Sequence, residues 1–163
     1  MRWKLAVAWV VLQVLFFAGW AATEQRRQVT GTPILVRTAP VDPRDLLRGQ
    51  YLRLSYEFSQ PQDLLDAHRP SSEGESVWVV LRPDGEYFIP DYSVLNRPLR
   101  LQGGRVALLG RRERWRVIFG IEEYYVQEGT ETPHQQDTTV RVVAGSDGGV
   151  RIQTVLVKGE PWP

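Results

Sequence analysis

The chain has 163 residues, 42% apolar and 24% charged, with a formal net charge of +1 and no cysteine. That balance fits a globular domain of ordinary size and excludes a disordered chain, a disulfide framework and thiolate chemistry. Arg2 and Lys4 precede the first apolar run, so the rest carries 18 basic against 19 acidic residues. A nearly neutral body lacks the clustered charge that phosphate-backbone binding needs, so no nucleic-acid partner is expected.

The first element is Leu5–Ala22, LAVAWVVLQVLFFAGWAA, whose strongly polar side chain is Gln13. A helix of that length covers about 27 Å, close to the hydrocarbon thickness of a bilayer. It is apolar on all sides, which argues against a core helix with one buried stripe. It also exceeds the ~7–15 apolar residues usual in a cleaved signal. Gly19 and Ala21 would still fit a cleavage site, so that alternative stays open. Residues 1–22 are read as a transmembrane anchor, with Trp3 and Trp20 placed for interfacial aromatic belts. Flanking charge is a tie, Arg2 and Lys4 against Arg26 and Arg27. The α-amino group and short leading tail tip the expectation toward a cytoplasmic N-terminus and an extracytoplasmic domain at the cell membrane. Residues 23–28 make a polar tether, and residues 29–163 the domain.

From residue 32 the pattern turns to period two. Thr32–Val41 is β-prone, and Asp42-Pro43 suits the start of a helical turn. In Gly49–Phe58, Leu52, Leu54, Tyr56 and Phe58 fall on one face, while Tyr51, Arg53, Ser55 and Glu57 fall on the other. Residues 60–75 are loop-like, with one helical turn at Gln62–His68. Val77–Leu81 is apolar on both faces, as a central strand requires. Pro83-Asp84-Gly85 turns the chain back into Glu86–Ile89. Pro90–Gly104 is expected to be irregular, and Arg105–Leu109 to be a strand. Trp115–Val126 is read as one long strand, with a bulge or close approach at Gly120. Strict alternation then turns Glu123 inward, to be met by an arginine, unless Gly120 reverses the register. Gly129–Gln136 is a polar loop. Thr138–Val143 and Val150–Val157 pair across Gly145–Gly149. About eight strands with little helix predict a mainly β, antiparallel barrel or sandwich.

No nucleophile elbow, phosphate loop or dinucleotide fingerprint occurs. His68 and His134 lack spacing partners, so no metal and no cofactor are expected. A serine–lysine dyad would depend on Lys158, which simply follows the last strand. Two polar groups remain as a candidate binding cluster: Tyr51, Arg53 and Glu57, and Glu122, Glu123, Tyr124 and Tyr125 with Glu128. A structural ion pair or tyrosine–carboxylate bond is the plainest account of them.

Gly49-Gln50-Tyr51-Leu52-Arg53-Leu54-Ser55-Tyr56 resembles the signature of the GDYXXLXY family of bacterial membrane-associated proteins. Asp42–Gly49 looks like its usual lead-in, and Phe119–Gly129 is similar to its second block. The closing Gly159–Trp162 is similar too. Gln50 stands where the signature has an acidic residue, which disfavours a catalytic or metal-binding role for that position. The resemblance adds Gly49, Gln50, Leu54 and Tyr56 to the residues of interest. It implies a membrane-anchored protein often found beside multi-spanning membrane proteins, and supplies no activity. The expected function is thus a non-enzymatic accessory or interaction domain partnering an integral membrane protein. A small-ligand or lipid-binding module, or a carboxylate-dependent hydrolase using Glu122 or Glu128, are the alternatives.

Overall fold

A computed structural model describes residues 2–29, 31–39, 51–61, 73–127, 133 and 137–162. It falls into two units, Met1–Gly31 and Thr32–Pro163.

The first unit is one helix, α1 (Arg2–Val29). It has no proline to interrupt it, and it continues through the TEQRRQ segment expected to be a tether. Within it, Trp3–Thr23 is long and apolar enough to cross a membrane by length and composition. Every residue of that stretch is exposed, so it is not the core helix of the domain.

The second unit is built from β1 (Thr32–Arg37), β2 (Tyr51–Arg53), β3 (Ser76–Asp84), β4 (Tyr87–Val94), β5 (Val106–Glu113), β6 (Arg116–Ile118), β7 (Glu123–Tyr125), β8 (Thr138–Ala144), β9 (Val150–Val157) and β10 (Glu160–Trp162). They form a four-stranded sheet in the order β1-β8-β9-β10, another in the order β4-β3-β5-β6, and a two-stranded β2–β7 ribbon. All pairings are antiparallel. The fold is therefore mainly β, as expected.

Alternation drives the packing. Ile34 and Val36 from β1, Val140 and Val142 from β8, and Val77, Val79 and Leu81 from β3 meet Leu52, Leu54, Tyr56 and Phe58 in one apolar core. Burial of this apolar surface is the main driving force for the fold. β3 lies between β4 and β5, and both its faces are buried from Val77 to Leu81, which accounts for its apolar character on both. Its outward Trp78 packs against the β8–β9 turn. There Gly148 has φ +86°, and any Cβ would collide with the indole ring. Arg97 spans the same place, its guanidinium 5.7 Å from the Trp78 ring centroid and hydrogen-bonded to the Ser146 carbonyl.

Three expectations are corrected. First, β4 runs through Pro90 to Val94 instead of stopping at the proline. Pro90 is tolerated because β4 is an edge strand and carries a bulge. Leu81 pairs with Pro90 and Val80 with Tyr92, leaving Asp91 as the extra residue. Asp91 then accepts from Arg105 Nε at 2.7 Å and lies 3.9 Å from Arg82 Nε. Second, Gly49–Phe58 is not one strand. β2 ends at Arg53, Tyr56 makes a single bridge to Thr38, and Glu57–Ser59 is a 3₁₀ turn. The predicted buried face survives: Leu52, Leu54, Tyr56 and Phe58 are all inside. Third, Trp115–Val126 is two short strands in different sheets, with Trp115 in the turn before β6 and half exposed. The Asp42-Pro43 helix start and the Gln62–His68 turn lie outside the described residues.

Candidate functional site

The ribbon brings the two blocks of interest together. Tyr51 stands opposite Tyr125, Leu52 opposite Tyr124, and Arg53 opposite Glu123. Opposed residues in an antiparallel pair share a face, so the ribbon has two distinct sides. Leu52 points into the core, and Tyr124 half-buries its ring against Trp162, with centroids 6.3 Å apart. Tyr51, Arg53, Glu123 and Tyr125 form the outer side and are exposed. The Tyr51 and Tyr125 rings meet edge to face at 5.0 Å and 89°. That geometry places the positive edge of one ring on the negative face of the other.

A corner at Gly120 makes this ribbon possible. Gly120 has φ +80°, a left-handed conformation that ends β6 and redirects the chain into β7. Glu122 holds the corner: its carboxylate accepts from the Phe119 N–H at 2.6 Å and from the Gly120 N–H at 2.8 Å. Of the two alternatives that alternation leaves for Glu123, the exception at Gly120 is the one found. The reversal at Gly120 puts Glu123 outside, and Glu122 is answered by backbone N–H groups where an arginine was expected.

Tyr56 locks the other side of the corner. Its side chain is wholly buried, and its hydroxyl donates to the Ile121 carbonyl at 2.6 Å. Burial pushes the phenol pKa far above its ordinary value, and the nearby Glu122 carboxylate adds to the rise. Tyr56 stacks on Phe58, which in turn meets Phe119 edge to face. The Leu54 N–H donates to the Glu122 carbonyl at 2.7 Å, extending the ribbon by one bond.

The candidate residues therefore separate by role. Leu54 and Tyr56 are core, Glu122 is a backbone clamp, and Tyr124 is a packing residue. Tyr51, Arg53 and Tyr125 share one exposed surface, and Glu123, which alternation had placed inside, joins them. Gly49, Gln50 and Glu128 lie outside the described residues. Among the described residues no group of three His, Cys, Asp or Glu side chains is arranged to hold a metal ion.

The family model of the GDYXXLXY protein matches residues 13–155. The chain belongs to this family. The match spans both blocks that the ribbon brings together, and it begins inside α1. No curated protein and no solved structure matches the chain. In the terms of the GDYXXLXY signature, Leu54 and Tyr56 are the core positions and Tyr51 is the exposed one.

Proposed function

We propose that this GDYXXLXY domain is a membrane-anchored interaction module, not an enzyme, which presents the outer side of the β2–β7 ribbon to an integral membrane protein on the extracytoplasmic side. One observation carries the reading. Two large aromatic side chains from separate family blocks, Tyr51 and Tyr125, are kept outside and against each other, beside Arg53 and Glu123. Leaving two tyrosines in solvent forgoes burial that the fold obtains elsewhere, whereas tyrosine and arginine are the residues that dominate protein interfaces. The anchor supports the choice of partner, because α1 is long and apolar enough to hold the domain at a membrane.

A photo-crosslinking residue placed at Tyr51 or Tyr125 in the full chain, irradiated in native membranes, should capture one specific integral protein. The same residue at Trp115, exposed on the β5–β6 turn, should not. Capture of nothing specific from the ribbon would sink the partner. Topology is checked separately, by fusing alkaline phosphatase or a cytoplasm-only reporter after Pro163. Activity of the cytoplasmic reporter alone would reverse the orientation.

A further inference from the structure

Resting on the reading of α1 as a membrane anchor, we propose that two copies of this chain pair in the membrane through Gln13. Gln13 is the middle residue of the Trp3–Thr23 span, with ten residues on either side. Ten residues of helix rise about 15 Å, so the amide sits at the centre of a ~30 Å hydrocarbon layer. The flanking residues 5–12 and 14–22 are all apolar or glycine, and Gln13 itself is exposed on the helix. Its side chain is too short to reach either interface from that depth. An amide left unsatisfied in hydrocarbon is costly, and intramembrane polar side chains accordingly bond across helices.

The nature of the group selects the occupant. A carboxamide carries both donors and an acceptor, so two of them satisfy each other. A second copy inserted with the same orientation brings the same amide to the same depth. The rest of residues 5–22 is apolar on every side, so Gln13 alone defines the contacting face. Ala6, Trp9, Gln13, Phe16 and Trp20 are spaced three, four, three and four residues apart. Residues at that spacing share the Gln13 face, and a single polar residue on the facing side of a helix pair sets register and oligomeric state. Between residues 5 and 22 the other faces carry no carboxamide, hydroxyl or charge.

The chain has no cysteine, so single cysteines report without background. Cysteines introduced one at a time into the full chain at Ala6, Phe16, Val11 and Ala18 would be oxidised in native membranes. Disulfide-linked dimers are expected at positions 6 and 16, on the Gln13 face, and not at 11 and 18 on the opposite face. Gln13→Leu should weaken association by about 3- to 20-fold, while Gln13→Asn retains it. Dimer yield that is equal around the helix, or unchanged by Gln13→Leu, overturns the pairing. So does Gln13 crosslinking only to a different protein. Carbonate extraction of the same membranes separates the two readings. A chain that resists extraction yet gives no dimer leaves the anchor intact and removes the pairing. A chain washed off by carbonate removes both.

Discussion

Tyr51 and Tyr56 belong to one eight-residue motif and have opposite fates. Tyr56 is fully buried and hydrogen-bonded, whereas Tyr51 keeps 46% of its surface exposed. Leu54 and Arg53 divide in the same way. The difference teaches that the GDYXXLXY signature is two things superposed. Its inner residues build the corner on which the ribbon rests, and its outer residues are what the ribbon displays. Substitutions on the inner side should cost stability, and those on the outer side should cost association.

The largest expected effect is that of Leu54→Ala, which leaves a cavity in a filled core and should destabilise the domain by about 2–5 kcal/mol. Urea or thermal unfolding of the full chain in mild detergent measures it. A loss below that of Tyr51→Ala would break the comparison. Glu122→Ala removes two charge-assisted bonds at a partly exposed corner and should cost about 2 kcal/mol, with Glu122→Gln costing less. Tyr56→Phe strands the Ile121 carbonyl and should cost about 1 kcal/mol near neutral pH.

That last variant has a pH signature. Below pH ~10 Tyr56 is protonated in both folded and unfolded chains, and it adds no pH dependence to the stability. Above that, the unfolded chain gives up a proton that the buried phenol keeps. Stability should then fall by up to ~1.4 kcal/mol per pH unit. Tyr56→Phe should lose this part of the alkaline slope. Tyr87, whose hydroxyl is also raised by a hydrogen bond to Glu86, titrates in both proteins and drops out of the difference. An alkaline slope identical in the two proteins would contradict the buried role of Tyr56.

The smallest stability effect belongs to the outer side. Tyr51→Ala with Tyr125→Ala removes one edge-to-face pair and should cost no more than about 1 kcal/mol. With the photo-crosslinking residue moved to Glu123 on the same side of the ribbon, the double variant should abolish a capture that the chain with both tyrosines shows. Wild-type capture by that variant would show that the ribbon is not the contact.

Much of the fold was legible because turn chemistry and alternation act locally. Pro83-Asp84-Gly85 and the glycine-rich Gly145–Gly149 both mark hairpins that form. The alternation of Leu52, Leu54, Tyr56 and Phe58 marks a buried face even where the strand itself gives way. The long strand expected over Trp115–Val126 breaks in two for a physical reason. A glycine is compatible with a bulge or with a left-handed corner, and what decides between them is the Glu122 carboxylate capping the Phe119 and Gly120 N–H groups. Those bonds reach only three and two residues back, so the corner is a local capping turn over Phe119–Glu122, which a reading by period-two alternation passes over. The candidate site was legible as a set of residues but not as a surface. Alternation already sets Tyr56 inside and Tyr51 outside; what it does not say is that β7 places Tyr125 against Tyr51.

The edges of the two four-stranded sheets bear on how such a domain is recognised. β1 carries Pro33, β4 carries Pro90 and a bulge, β10 carries Pro161, and β6 is only three residues long. A proline offers no N–H to a newcomer, and a short or bulged edge gives a poor template. Strand addition, by a partner's extended segment or by a neighbouring copy, is thereby discouraged at all four edges. Copies held close together are kept from polymerising through these two sheets, and a partner that meets them there must read side chains.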